Sequence, residues 1–353
     1  MLELTRRREA SKAMLWLTPV FAVILTIVAG GLLFALLGKD PVEAVRLIFV
    51  QPFLDPFSRT ELLVKGTPLV LIAIGLSLGF RAGVWNIGAE GQFIMGALVG
   101  GAVALAFYEI PGVWLLPLMC FAGMAGGAAW AMIPAILRIR FNANEILVSL
   151  MLVYVAELLL SALVSGPLRD PDGFNFPESR MFHDSATLPI LISGSRAHIG
   201  AAVALGAVIA AYVLLERHLF GFRIKLFGQA PRAARFAGFS EAGLVAACLG
   251  LGGALAGLAG VFEASGPVGQ LVPALPQGYG FTAIIVAFLG RLNPLGVLLA
   301  GAVMALTYIG GETAQISMNL PAAAINVFQG MLLFFLLGID VLVNYRLRWR
   351  RAA

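Results

Sequence analysis

The sequence predicts an all-α polytopic membrane protein, and three observations carry this prediction. Hydrophobic residues make up 60% of the 353-residue chain and charged residues only 12%, about half the charged fraction of an ordinary soluble domain. The mean hydropathy is +0.92. Apolar runs of about twenty residues, the length that crosses a bilayer as a helix, recur along the whole chain, and none shows the ten-residue alternation of an outer-membrane barrel.

We expect about ten spanning helices. The first runs from Met14 to Leu37 behind a basic segment, 1–13, and it is too long to be the core of a cleavable signal peptide. The others are predicted at 62–79, 87–107, 112–137, 146–165, 198–215, 243–264, 279–290, 294–310 and 321–338. Residues 14–338 then form a single transmembrane domain, and 339–353 form a tail. The mixed segment 38–61 is predicted to be an amphipathic helix on the outer face.

The distribution of basic residues predicts that both termini are cytoplasmic. With ten spans, 17 of the 24 lysines and arginines fall on the inner side and the other 7 on the outer side, as the positive-inside rule requires. Two long loops follow from this topology. The extracytoplasmic loop 166–197, rich in Pro, Asp, Gly and Ser, is either a connector or a docking surface for an extracytoplasmic partner. The cytoplasmic loop is 216–242.

A polar, glycine-rich stretch, 80–92, interrupts the apolar pattern between the second and third spans. It contains Asn86, Glu90 and Gln92. A carboxylate at the centre of a spanning helix costs about 2.5–3.5 kcal/mol on insertion scales, so polar groups at that depth usually face protein or a water-filled path. The stretch is therefore either the interrupted core of a transport pathway or a cytoplasmic turn in which Glu90 caps a helix. Asn86 and Glu90 either line the pathway or hydrogen-bond to neighbouring helix breaks.

A second break is predicted at 264–280, in the corresponding position of the second half. Ten helices divide into five plus five, and an odd number per half inverts the second half, which gives a 5+5 inverted repeat with broken helices. The second break holds Gln270 and Gln277, and the span after it is only about twelve residues long, which suggests a half-helix. Paired breaks in the two halves point to a translocation site. Glu157, in mid-span, is a further candidate for the pathway or for an interhelical bond.

The cytoplasmic loop is predicted to contain a short helix at 231–237. Pro231 suits its first position and Gly238 the position after its end. Such a helix would present Arg232, Arg235 and Phe236. An exposed Ala233–Ala234 pair would suit close packing against a protein groove, although a helix on the membrane surface would look similar.

The residues predict no enzymatic activity in this chain. It contains no phosphate-binding Gly-x-x-x-x-Gly-Lys-Ser/Thr sequence. The three histidines, His183, His198 and His218, lack metal-ligand spacing, so no metal site is expected. The net charge of +5 reflects membrane topology, and no nucleic-acid partner is expected.

Three segments resemble a known family. Asn86-Ile-Gly-Ala-Glu-Gly-Gln-Phe-Ile-Met-Gly-Ala97, the stretch Phe141–Leu152 and the stretch Gly228–Gly238 are similar to segments of the permease subunits of ABC importers for nucleosides and simple sugars. That group is related to the ribose and branched-chain amino acid permeases. The resemblance covers essentially the whole chain, and its segments occur in the right order and spacing.

The resemblance implies a transport subunit that binds no cofactor. ATP and Mg would be bound by a partner ATPase with two nucleotide-binding domains, and solute would arrive on an extracytoplasmic substrate-binding lipoprotein. An extended N-terminal portion such as 1–61 implies pairing with a shorter paralogous permease, and the location would be the bacterial cytoplasmic (inner) membrane. The ATPase would contact a coupling segment containing Gly228, Pro231, Arg232, Ala233, Ala234, Arg235 and Gly238.

Two other functions fit the residues. An ion-coupled secondary transporter also uses broken inverted repeats, and Glu90 or Glu157 would then be its proton or cation site. A membrane scaffold that transports nothing would have no use for the broken segments. The residues do not identify the solute, because importers of this kind select it largely through the separate binding protein.

Overall fold

The computed structural model describes residues 2–6 and 12–349, and their side chains from 17 to 339; it is predominantly helical. The helices are α1 (Lys12–Leu36), α2 (Pro41–Phe49), α3 (Gln51–Leu54), α4 (Pro56–Arg81), α5 (Ala89–Ala106), α6 (Leu115–Phe141), α7 (Glu145–Ser165), α8 (Gly200–Arg217), α9 (Leu219–Gln229), α10 (Pro231–Phe236), α11 (Glu241–Glu263), α12 (Tyr279–Leu289), α13 (Pro294–Met318) and α14 (Ala322–Asn344). Two short strands, β1 (Leu2–Arg6) and β2 (Tyr345–Trp349), pair antiparallel.

The prediction of an all-α polytopic membrane protein is confirmed. Within the described residues, nine helices are long and apolar enough to cross a membrane, and α12 is a shorter apolar helix of 11 residues, as expected of a half-helix. The total number of spans, the inverted repeat and the side on which the termini lie stay predictions. The strand pair was not predicted. Of the predicted tails, residues 1, 7–11 and 350–353 lie outside the described residues.

The structure divides into two compact units, of which the first joins the residues up to Arg59 with those from Leu306 onward. Its core is aromatic: Phe34 of α1 stacks on Phe328 of α14, with ring centroids 5.8 Å apart. Helix α2 begins at the N-cap residue Asp40, whose side chain accepts a 2.8 Å hydrogen bond from the amide of Val42. It buries Ala44, Leu47 and Ile48 in the same core, so the mixed segment 38–61 does contain an amphipathic helix.

The second unit, Thr60–Ala305, contains both predicted breaks and loop 216–242. Its helices α5, α6 and α11 pack through glycines. A methyl group added at Gly96 would lie 2.1 Å from the Cα atom of Gly257, and one added at Gly127 would lie 2.2 Å from the carbonyl oxygen of Gly253. Because lipid is as apolar as a leucine side chain, membrane helices associate through such close backbone contacts. Helix α4, from Val64 to Phe80, is buried on nearly all sides.

Loop 216–242, which is predicted to be cytoplasmic, is more ordered than expected, because helix α9 precedes the expected short helix. Gly221, Ile224 and Phe227 form the buried face of α9, with the three-residue spacing of a helix. The short helix itself, predicted at 231–237, is α10, and Pro231 occupies its first position. Gly238 follows with φ of +80°, the left-handed conformation that ends helices and favours glycine.

Candidate translocation site

The first break, between α4 and α5, is closed by a pair of side-chain amides. Asn86 Nδ2 donates to Gln92 Oε1 at 2.9 Å, and Gln92 Nε2 donates to Asn86 Oδ1 at 3.0 Å. Asn86 Oδ1 also accepts from the amide of Gly88 at 3.1 Å. Both side chains are buried. Of the two roles left open for Asn86, this geometry favours the structural one, since its polar atoms are satisfied within the break.

Glu90 joins the first break to the second. It lies in the first turn of α5 with 1% of its surface exposed, and its carboxyl oxygens accept hydrogen bonds from the amides of Gly278 at 2.9 Å and Gly280 at 2.5 Å. These two residues are the N-cap and the second residue of α12. An acidic group at that position interacts favourably with the positive end of the helix dipole. Glu90 is therefore a cap for a half-helix that begins 189 residues later, at Tyr279.

The contact between the breaks is close enough to require glycine. A methyl group added at Gly280 would lie 2.2 Å from the backbone nitrogen of Glu90 and 2.6 Å from its Cα atom. Two helix N-termini, those of α5 and α12, therefore meet backbone to backbone at this point.

The second break begins as a π-helical turn, Ala264–Val268, and leaves helical geometry until Gly278. Loop 166–197, which is predicted to be extracytoplasmic, runs along it and is attached to it by hydrogen bonds. Gln270 donates to Glu178 of the loop at 3.1 Å, so this candidate residue is tied to the loop. The backbone contributes three further bonds: Leu188 N to Ser265 O (2.9 Å), Phe182 N to Gly269 O (2.7 Å) and Ser179 N to Leu271 O (3.0 Å).

A buried polar cluster lies where the second break returns to α12. Lys65 of α4 donates from Nζ to Gln277 Oε1 and to the hydroxyl oxygen of Tyr279, both at 2.9 Å. The Tyr279 hydroxyl donates to Glu263 Oε1 of α11 at 3.2 Å. Gln277 is exposed, whereas the other three side chains are buried. The cluster therefore connects α4, α11 and the start of α12.

One turn before Lys65, Glu61 connects α4 to the end of the extracytoplasmic loop. Arg196 donates two hydrogen bonds to its carboxylate, from Nε at 3.0 Å and from Nη2 at 2.6 Å. Next to this pair, outside α8, lies His198. Its burial lowers its pKa to about 4, although the nearby Glu61 carboxylate opposes the shift. The neutral ring accepts a 3.2 Å hydrogen bond from the amide of Gly200.

Glu157 differs from Glu90 in having no hydrogen bond or ion pair to any residue that the structure describes. It is half-buried on α7, next to the buried Ala156, and lies within electrostatic range of Glu90. Because an intramembrane carboxyl group is costly unless it is paired or hydrated, its free position is what a residue facing a water-filled path would show.

The predicted coupling segment, Gly228–Gly238, is anchored by Ala234, and here one expectation is wrong. Ala233 is exposed, but Ala234 is 0% exposed and packs in a core with Phe227, Leu244 and Val245, so the two alanines do not form an exposed pair. The surface of α10 consists of Pro231, Arg232, Ala233, Arg235 and Phe236. Phe236 is 94% exposed.

The coupling segment touches the first break through Gly228. A methyl group added there would lie 2.0 Å from the carbonyl oxygen of Arg81, the last residue of α4. Ion pairs support the same junction, because Glu216 contacts both Arg81 (3.3 Å) and Lys225 (2.8 Å). A displacement of α9 and α10 would therefore reach the end of α4 directly.

Sequence reasoning missed four residues of the polar cluster and its surroundings: Glu61, Lys65, Glu263 and Tyr279. The signal was present for two of them, since Glu61 and Lys65 place an acid and a base four residues apart at the start of an apolar run. Glu263 was hidden at the end of a predicted span. Within the described part of the chain, no group of three or more His, Cys, Asp or Glu side chains has the geometry to hold a metal ion.

The structure is thus a helical membrane protein in which two helix breaks meet and helix α9 touches one of them, and paired breaks of this kind are typical of translocation sites. A comparison of families agrees. Residues 58–337 match the family described as the branched-chain amino acid transport system permease component, and the chain belongs to that family.

Named relatives are ABC transporter permeases. The chain is 39% identical to the glucose ABC transporter permease protein of Haloferax volcanii over 355 aligned positions, covering 98% of this chain and 93% of the relative. It is 30% identical to the guanosine ABC transporter permease protein NupP of Bacillus subtilis, over 90% of this chain and 92% of the relative. A second guanosine permease of that organism, NupQ, is 29% identical over 67% of this chain and 76% of the relative. No solved structure matches significantly.

The resemblance is thereby confirmed, and the chain is a permease subunit of an ABC transporter. In such transporters ATP is hydrolysed on separate partner proteins, which agrees with the prediction of a transport subunit without its own ATPase activity. The chain is a multi-pass membrane protein.

Proposed function

We propose that this chain is the subunit through which an ABC importer moves nucleosides or simple sugars inward, with ATP hydrolysed by a partner. The observation that carries the proposal is the junction at Glu90, where the two breaks are joined inside the bundle. A solute path needs interrupted helices whose exposed backbone is satisfied by protein. Identity to the glucose permease, 39%, exceeds that to the guanosine permease, 30%, so a simple sugar is the first solute to test.

The six candidate pathway residues divide into two groups by their contacts. Asn86, Glu90 and Gln92 are buried and hold the breaks in place, and Gln270 is bonded to the extracytoplasmic loop. Gln277 is exposed at the second break, although its Oε1 accepts from Lys65, and Glu157 has no hydrogen bond or ion pair to the described residues. We assign the solute contacts to these two residues, because the hydroxyl groups of sugars and nucleosides pair with amides and carboxylates.

The ATPase partner would bind the exposed face of α10 and supply both ATP and Mg. Phe236 offers a large apolar side chain, and Arg232 and Arg235 flank it, a composition typical of binding hot spots. Ala233 lies on the same exposed face. Movement of this face would pass through Gly228 to Arg81, and hence to the first break.

The remaining partners follow from the family. Matches to both NupP and NupQ support a heterodimer of paralogous permeases. A substrate-binding lipoprotein would dock on the extracytoplasmic loop, where Phe174 and Phe176 are exposed. We place the chain in the bacterial cytoplasmic (inner) membrane with both termini cytoplasmic; the pairing of β1 with β2 supports the placement of both on the same side.

Reconstitution tests this function. Liposomes holding this chain, its paralogue and the ATPase, with the binding protein and labelled glucose or guanosine outside, should accumulate solute only with ATP inside. Omission of the ATPase should abolish uptake. Uptake that proceeds without the ATPase and follows an ion gradient would instead establish the secondary transporter.

A further inference from the structure

The outer end of α4 holds two different segments that border the second break. Glu61 binds Arg196 at the end of the extracytoplasmic loop, and Lys65 binds Gln277 and Tyr279 at the start of α12. The two residues are four positions apart, so they lie on one face of the helix. Earlier in the same loop, the backbone amides of Ser179, Phe182 and Leu188 donate to carbonyl oxygens of the second break, among them that of Ser265. Within a single turn, helix α4 therefore contacts both the loop that covers the second break and the start of α12, where that break ends.

These contacts are polar, and this matters for movement. When a hydrogen bond or ion pair opens to water, water replaces the lost partner, so the net free-energy change is much smaller than the strength of the bond. When an apolar contact of the same area opens, water does not replace the lost partner, and the hydrophobic free energy of that contact is lost. A polar connection can therefore hold a segment closed and still release it in a transport cycle.

The inner ends of the same two helices are closed differently. Phe288, near the end of α12, stacks on Phe80 of α4, with ring centroids 5.2 Å apart, and on Trp85 of the first break, at 5.9 Å. Near Glu90 the backbones of α5 and α12 are in direct contact at Gly280. The outer end of α4 differs from these two regions, because its contacts are made by long side chains and by a loop.

We propose that Glu61 and Lys65 form a latch that keeps the extracytoplasmic side of the pathway closed, with Arg196, Gln277 and Tyr279 as its counterparts. The inference rests on the proposed transport function. Both residues act by positioning the loop and the start of α12, and neither needs to touch the solute. Release of the latch would expose the π-helical turn that contains Ser265 to the outside.

Ser265 provides the reporter for this test. Its side chain is fully buried, and its hydroxyl has no partner among the described residues, so a cysteine can replace it with little disturbance. The chain has only two native cysteines, Cys120 and Cys248, which can be changed to alanine. A membrane-impermeant maleimide, added to the outside of vesicles that hold the whole transporter, then measures how often the turn is exposed.

We expect K65M to raise the labelling rate of S265C about tenfold and R196Q to raise it severalfold, whereas K65R stays within twofold of the parent. K39M, which removes another lysine of the predicted outer side, is the matched control and should change nothing. The double variant E61R/R196E should restore slow labelling, because it rebuilds the pair with its charges exchanged; a loss of packing alone would not be restored.

Two measurements separate the latch from the transport function. If K65M and R196Q insert in normal amounts and label at the parent rate, the latch is wrong even when ATP-dependent uptake is normal. If the parent transports without the ATPase, the proposed function is wrong, and the labelling rates still decide the latch. Should K65M fail to insert, R196Q decides alone, because the Arg196 side chain is half-exposed and its replacement is tolerated more easily.

Discussion

Replacement of Glu90 by glutamine tests the junction of the two breaks. Glutamine has nearly the same size but offers one acceptor oxygen in place of two. Its side-chain NH2 group would face one of the two backbone N–H groups, and both are donors. One of the buried amides of Gly278 and Gly280 is then left without an acceptor. An unsatisfied buried group costs about 1–3 kcal/mol. The lost interaction with the N-terminus of α12 adds about 0.3–1 kcal/mol, so we expect a destabilisation of about 1–4 kcal/mol.

The control is E145Q. Glu145 also lies in the first turn of a helix and pairs with Arg138, but the cap of that helix is Asn144, whose side chain accepts from Ile146 N at 2.9 Å. Removal of a partly exposed ion pair usually costs less than about 1 kcal/mol. Thermal unfolding in detergent, followed by tryptophan fluorescence, and ATP-dependent uptake should both be impaired more by E90Q than by E145Q.

The kind of defect identifies the role of Glu90. If Glu90 positions the breaks, E90Q lowers the melting temperature and the maximal uptake rate, and leaves the half-saturating solute concentration nearly unchanged. A change in that concentration at normal stability would mean that Glu90 touches the solute. Equal and mild effects of E90Q and E145Q would refute the capping argument altogether.

Three further predictions concern other parts of the chain. F236A should weaken co-purification of the ATPase about tenfold at unchanged melting temperature, whereas A234W should lower the melting temperature because it overfills a closed core; equal melting temperatures would contradict the buried position of Ala234. G280A should destabilise the protein by about 1–3 kcal/mol or more, because its new methyl group would overlap the backbone of Glu90. G206A, whose new methyl group would have open space around it, should not destabilise the protein. Equal unfolding curves for the two variants would contradict the close contact at the breaks. Burial lowers the pKa of His198 to about 4 in the folded protein, below its unfolded value of about 6.5. The free energy of unfolding should therefore fall by at most about 3 kcal/mol as the pH drops from 6.5 toward 4. H198N should flatten that part of the plot of stability against pH.

The sequence predicts the elements of this fold well because each signal is local. Apolar runs locate the long helices, the short run at 279–290 predicts the half-helix α12, and Pro231 and Gly238 bound α10 to within a residue. Helix α9 was missed because its buried face consists of three residues, one of them glycine, within a basic and aromatic segment. Its apolar spacing was present, but it was too short to stand out.

The candidate site could be located from the sequence but not explained by it. Polar residues and glycines mark both breaks, yet Glu90 acts on amides of residues 278 and 280, and Lys65 acts on residues more than 200 positions away. No local pattern specifies such partners. The exposure of Ala234 was predicted wrongly for the same reason, because the core that covers it comes from α6, α9 and α11.

The two breaks differ in what satisfies their polar groups, and this difference has a mechanical consequence. In the first break Asn86 and Gln92 bond to each other and the amide of Ile87 donates to Ser149 of α7, so this break is held by its own side chains and by a neighbouring helix. The second is satisfied by loop 166–197 and by Glu90, so its movement requires a change in one of those contacts. Since α9 touches the end of α4 through Gly228 and loop 166–197 covers the second break, each of the two loops contacts one break, and the hydrogen bonds of Glu90 are the link through which the two breaks constrain each other.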